Sequence, residues 1–138
     1  MQDNSKKKMH EEDYILLSSW RDVLRDFLTV SNRILKQSRV TASEYQALLV
    51  IRLHTRQQQP LSMGALARHL RIRSNGAVSL VNRMANEGLV RRVSSEQDSR
   101  VVHPQLTAKG ETVLRKLVGA HRLELERITP LLRNILPH

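Results

Sequence analysis

The residues between Asn75 and Glu87 have the most chemistry to offer. Ala77, Leu80, Val81 and Met84 recur with a helical period, which leaves Asn75, Ser79 and Arg83 on the opposite side. A carboxamide presents a donor and an acceptor together, a hydroxyl adapts to either role, and a guanidinium donates through a fixed fork. With that set a helix can address base edges in the major groove of a duplex, where asparagine can bond adenine through two atoms. Gly76 adds no side chain, so the backbone there can come close to a partner. Ser62 and Ser74 stand where helices are predicted to start, and Arg73 closes the basic turn Arg71-Ile72-Arg73. Unpaired amides at such starts favour phosphate.

Arg100 calls for a different chemistry. It lies in the polar stretch Ser95-Glu96-Gln97-Asp98-Ser99-Arg100, between two valine-bearing segments that read as strands. An arginine on a thin exposed tip suits a minor groove, where negative potential is focused in narrow A·T-rich stretches. Asp98, two residues earlier, is placed to brace it.

The surrounding elements must hold these groups in place. Leu16, Trp20, Val23, Phe27 and Ile34 form one helical stripe near the start, and Leu17, Leu24, Leu28 and Leu35 a second beside it. So wide an apolar face suits either a central core helix or a helix with one stripe turned to a partner subunit. Thr41-Ala42-Ser43-Glu44 is a capping box, predicting a helix over 42–54 and then a loop from Thr55 to Pro60. Ser62 predicts a short helix over Met63–Leu70 that buries Leu66, Ala67 and Leu70. Ser74 is expected to cap the helix over Asn75–Glu87, with Gly88 as its left-handed stop. Two short helices joined by a tight turn make a helix-turn-helix, 62–87. Leu89–Ser94 and Val101–Leu106 pair as a hairpin whose second strand, holding Pro104, is an edge. Thr107 caps a last long helix, with a break expected at Thr129-Pro130 and a short apolar segment, Leu131–Leu136, after it. The fold class is therefore mainly α with a small β-hairpin.

The composition supports the same reading and removes others. In 138 residues there are 23 lysines and arginines against 13 acids, a net +10, which points to a polyanionic partner. Residues 61–110 hold eight basic and three acidic side chains, so this segment supplies half the excess. The chain has no cysteine, so disulfides, thiol redox sensing and thiolate zinc sites are excluded. Aromatics at 3% argue against a stacking platform for single strands. The six histidines show no metal-binding spacing, although His121 and Glu124 lie three apart; no phosphate loop or serine elbow is present. No metal, cofactor or catalysis is expected. The longest apolar run, Ala47–Ile51, is too short to span a bilayer, and the polar start lacks a signal peptide's apolar stretch, so a cytoplasmic location is expected.

The run Gly88-Leu89-Val90-Arg91-Arg92, then Asp98-Ser99-Arg100, then Leu106-Thr107-Ala108-Lys109-Gly110 resembles the winged-helix signature of the multiple-antibiotic-resistance regulator (MarR) family. The stretch Ser74–Met84 matches that family's recognition helix in spacing, and the resemblance covers about residues 12–136. It departs at Ser99, where many members have a second arginine, and at Pro104 within the second wing strand. The resemblance implies a ligand-responsive repressor that binds a pseudo-palindromic operator as a homodimer. It implies dimerisation helices over 12–37 and 108–136 around a winged helix-turn-helix over 41–106, with the wing over 89–106. Ser74, Asn75, Ser79 and Arg83 would meet the major groove and its phosphates, and Arg100 the minor groove. An effector would bind between the dimer helices and the winged domain, near Trp20. A competing reading is a winged helix that serves as a protein- or RNA-interaction module. The basic turn Arg71–Arg73 and Arg100 favour a duplex.

Overall fold

The reciprocal bonds of the capping box are present: the Glu44 amide donates to Thr41 Oγ1 and the Thr41 amide to Glu44 Oε1, each at 3.1 Å. From that cap the second helix runs without interruption. The computed structural model describes residues 7–57, 60–98 and 100–135. In chain order these form α1 (Glu11–Gln37), α2 (Ala42–Arg56), α3 (Met63–Leu70), α4 (Ser74–Asn86), β1 (Val90–Ser94), β2 (Val102–Leu106) and α5 (Ala108–Ile135). Mostly helical with one antiparallel hairpin, this is a winged helix-turn-helix flanked by two long helices.

The core lies where α2, α3, α4 and the hairpin meet. Leu48 and Ile51 from α2, Leu66 from α3 and Val81 and Met84 from α4 are fully buried, with Leu89, Val90 and Leu114 closing the cluster. The hairpin pairs Val90 with Leu106 and Arg92 with Pro104. Proline is tolerated there because a two-stranded ribbon consists of two edges. Thr107 ties the wing to α5: its hydroxyl donates to the Gly88 carbonyl at 2.5 Å and accepts from the Gly110 amide at 3.0 Å. Gly88 has φ 76°, the left-handed stop expected of it.

The two stripes of α1 part company. Phe27 and the other residues of the first stripe are half-buried, and Trp20 is half-buried among them. Leu17, Leu24 and Leu28 of the second are more than half exposed, while Leu35 turns into a small cluster with Val40 and Leu117. Near α1's end the Ser31 hydroxyl meets His121 Nε2 at 2.7 Å, and His121 Nδ1 meets the Leu117 carbonyl at 2.7 Å. A carbonyl only accepts, so Nδ1 carries hydrogen and, in the neutral ring, Ser31 donates to Nε2. The ring also stacks on Tyr45 of α2, with centroids 4.6 Å apart.

Three expectations need correction. The break at Thr129-Pro130 is absent: α5 continues through Pro130 to Ile135. Proline removes one backbone bond, the one to the Glu126 carbonyl, and the helix is held on course by Ile128, which stays buried against the fold. α2 continues through Thr55 and Arg56, which the sequence places in a loop, and the Thr55 hydroxyl bonds the Ile51 carbonyl at 2.9 Å. Ser74 is the first helical residue of α4 and not its cap; Arg73 takes the cap position, its carbonyl accepting from the Ala77 amide at 3.1 Å. Ser99 and Leu136, singled out in the sequence, lie outside the described residues.

Candidate nucleic-acid interface

The turn between α3 and α4 is set by local geometry. The Ser62 hydroxyl accepts from the Ala65 amide at 3.0 Å and starts α3. Arg71 ends it in the left-handed region, φ 56°, while the Ile72 amide reaches back to the Ala67 carbonyl at 3.0 Å. Arg73 then opens α4. The basic turn is thus held by backbone bonds, and its arginine side chains remain exposed.

Ala77, Leu80, Val81 and Met84 dock α4 on the core. At 100° per residue, Asn75, Ser79, Asn82 and Asn86 fall within an arc of about 60° on the far side, with Val78 and Arg83 flanking it. All six are exposed. The sequence reading named Asn75, Ser79 and Arg83 but missed Val78, Asn82 and Asn86. The same helical arithmetic, applied to every position of the helix, finds them. A Cβ at Gly76 would meet Ile72 at 3.7 Å, an ordinary contact, so Gly76 faces the turn.

At the wing tip Asp98 holds Arg100 through three bonds. Oδ1 accepts from the Arg100 amide at 3.0 Å and from Nε at 3.2 Å, and Oδ2 accepts from Nη2 at 3.5 Å. The amide and guanidinium of Arg100 hold the Asp98 carboxyl below its ordinary range. The guanidinium remains 90% exposed, so the brace directs it without covering it. At the other end of α4, burial tends to raise the Glu44 carboxyl, but the Glu87 carboxyl, Thr41 and the Arg83 charge leave it lowered. The Glu44 carboxyl, together with partial burial, in turn raises the Glu87 carboxyl above its ordinary range.

The eight basic side chains of residues 61–110 are all exposed: Arg68, Arg71, Arg73, Arg83, Arg91, Arg92, Arg100 and Lys109. Among the described residues only Arg100 of these eight forms an ion pair within 4 Å. A surface with so many unneutralised cations around an exposed polar helix suits a polyphosphate.

Trp20 is not part of the cleft between α2 and α5. That cleft, of about 260 Å³, is lined by Leu49, Arg52, Leu53, Glu111, Leu114, Arg115 and Val118. Arg52 donates to Glu111 there at 2.6 Å. His121 and Glu124 have other partners: Glu124 accepts from Arg127 Nε at 2.9 Å and from Nη2 at 2.6 Å, which holds its carboxyl down. No group of three metal-ligating side chains is found among the described residues, and no described helix is long and apolar enough to cross a membrane.

Residues 40–101 match the family model described as MarR family. No match is found among curated proteins. Several solved structures share the fold. AbsC, a MarR family transcriptional regulator from Streptomyces coelicolor, is 21% identical over 92% of this chain and 84% of its own, with a TM-score of 0.72. Staphylococcus aureus MepR, solved as a DNA complex, is 17% identical over 83% of this chain and 87% of its own, with a TM-score of 0.66. NadR, solved with 4-hydroxyphenylacetate, is 20% identical over 96% of this chain and 86% of its own, with a TM-score of 0.67. The match spans the capping box, the helix-turn-helix and the wing up to its arginine, so this part of the chain is similar to the MarR family, and the helices on either side complete the fold that the solved structures share.

Proposed function

We propose that the protein is a sequence-specific, double-stranded DNA-binding transcriptional regulator that works as a homodimer. The observation that carries this is the exposed polar face of α4 set among unneutralised cations, with a braced arginine at the wing tip. In this reading α4 enters the major groove through Asn75, Ser79 and Arg83. Ser62, Arg73 and Ser74 hold phosphates beside it, and Arg100, aimed by Asp98, takes the minor groove. The long helices 12–37 and 108–136 pair two chains so that both α4 helices meet half-sites about 34 Å apart. MepR, solved with DNA, gives the reading a precedent in the same fold.

The finer reading is a repressor released by a small effector. The cleft between α2 and α5 is the place for it, because it joins a flanking helix to the helix-turn-helix core. NadR, solved with 4-hydroxyphenylacetate, is a relative with a small ligand. An effector that favours a dimer with wrongly spaced α4 helices would lower operator affinity without touching the DNA surface.

The test is a gel shift on duplexes selected from a random pool, with Arg100→Ala as the probe. The variant is expected to bind about ten-fold more weakly, since a single desolvated arginine contact contributes on the order of 1–3 kcal/mol. Its thermal midpoint should not move, because the guanidinium contacts only Asp98 at an exposed tip. Unchanged affinity would remove the wing from the interface.

A further inference from the structure

One carboxamide on the exposed face of α4 is already engaged from behind. Arg92, on β1, donates from Nη1 to Asn82 Oδ1. A guanidinium has donors and no acceptor, so the atom of Asn82 that faces Arg92 is its oxygen, and the NH₂ group turns the other way. No hydrogen bond of this kind engages the Asn75 side chain among the described residues, and that carboxamide keeps both its functions.

The difference has a consequence for base choice. Adenine's major-groove edge, N6–H and N7, calls for an acceptor and a donor on the carboxamide. Guanine O6 and N7, or thymine O4, call for donors alone. Asn82 lies seven residues beyond Asn75, about 10 Å along the helix and about three base-pair steps along a groove, so the two address different base pairs. We propose that Arg92, by holding the Asn82 oxygen toward itself and turning the NH₂ outward, makes Asn82 read as a donor, which favours guanine or thymine over adenine at the base pair it faces. This rests on the reading of α4 as the helix that enters the groove. Arg92 acts here as a positioning residue whose effect passes through Asn82.

The experiment is selection of bound duplexes from a random pool by the full-length protein, by Asn82→Ala, by Arg92→Ala and by Arg92→Lys. Affinity for unselected duplex is measured alongside. The wild-type chain should prefer guanine or thymine at one position of each half-site. Asn82→Ala should flatten that preference by about five-fold, the worth of one net hydrogen bond. Arg92→Ala should let adenine rise at the same position, and Arg92→Lys, which still only donates, should restore the original choice. Arg92→Ala also removes a charge and weakens binding to every sequence, so the readout is base preference and not affinity. The proposal is overturned if Arg92→Ala leaves base choice unchanged, or if Asn82→Ala weakens selected and unselected duplexes equally, the behaviour of a phosphate contact. A wild-type chain that selects no duplex overturns the proposed function itself, an outcome separate from either of these.

Discussion

Replacing Leu24 and Leu28 together by glutamate should leave a folded single chain whose affinity for a selected duplex is at least 100-fold lower. Both side chains are more than half exposed, at 52% and 58%, and so are Tyr14 and Leu17 farther along the same face of α1. α5 adds Leu123, 68% exposed, and Leu125. A long helix with an apolar row in water makes a surface of the kind that subunits bury. New carboxylates cost the isolated chain little, because neither leucine belongs to its core. In a paired chain the charges would be desolvated against apolar neighbours, which a dimer does not tolerate. Losing the second α4 helix removes bivalent binding, worth a factor of about 10² to 10⁴. Light scattering gives the mass, and titration of labelled duplex gives the affinity. A double variant that keeps the parent's mass and affinity would mean that α1 does not form the interface.

The second large effect concerns stability. Gly110→Ala should lower stability by about 3 kcal/mol, about 10 °C in Tm. An added Cβ at Gly110 would lie 2.0 Å from the Leu89 carbonyl oxygen, a backbone atom that cannot rotate aside. That carbonyl already accepts from the Thr107 amide at 3.1 Å, where the wing joins α5, so relief of the clash must pull the wing from the helix. Helix propensity works in the opposite sense and is too small, about 1 kcal/mol, to compensate. Gly119→Ala, in the same helix with nothing within 4 Å of its added methyl, is the control and should be neutral or stabilising. A scanning-calorimetry result with the two variants alike would refute the close approach at Gly110.

Most of the architecture is legible in the chain because its signals are local. The capping box at Thr41–Glu44, the cap at Ser62, the stop at Gly88 and the paired valine runs each specify a boundary within four residues. The misread boundaries are those settled by tertiary packing. Proline at 130 reads as a break, yet the burial of Ile128 against the fold keeps α5 continuous. Ser74 reads as a cap, yet the backbone bond from Ala77 to Arg73 starts the helix one residue earlier.

The candidate interface divides in the same way. Asn75, Ser79 and Arg83 follow from helical spacing, and Arg100 with Asp98 from their place at a hairpin tip. The Arg92–Asn82 pair joins a strand to a helix ten residues apart, and only the fold brings them together. The Glu44–Glu87 pair, 43 positions apart, is equally invisible to any local pattern. Trp20, which the resemblance places near an effector site, is half-buried on the inner stripe of α1 and does not line the α2–α5 cleft.

The most direct test of paired, charge-driven duplex binding is analytical ultracentrifugation of the protein with one selected duplex, run from about 50 to 200 mM salt. The predicted result is two chains per duplex, with affinity falling by about 10³-fold or more over that range, as six or more phosphate contacts require. One chain per duplex, or an affinity indifferent to salt, would contradict it.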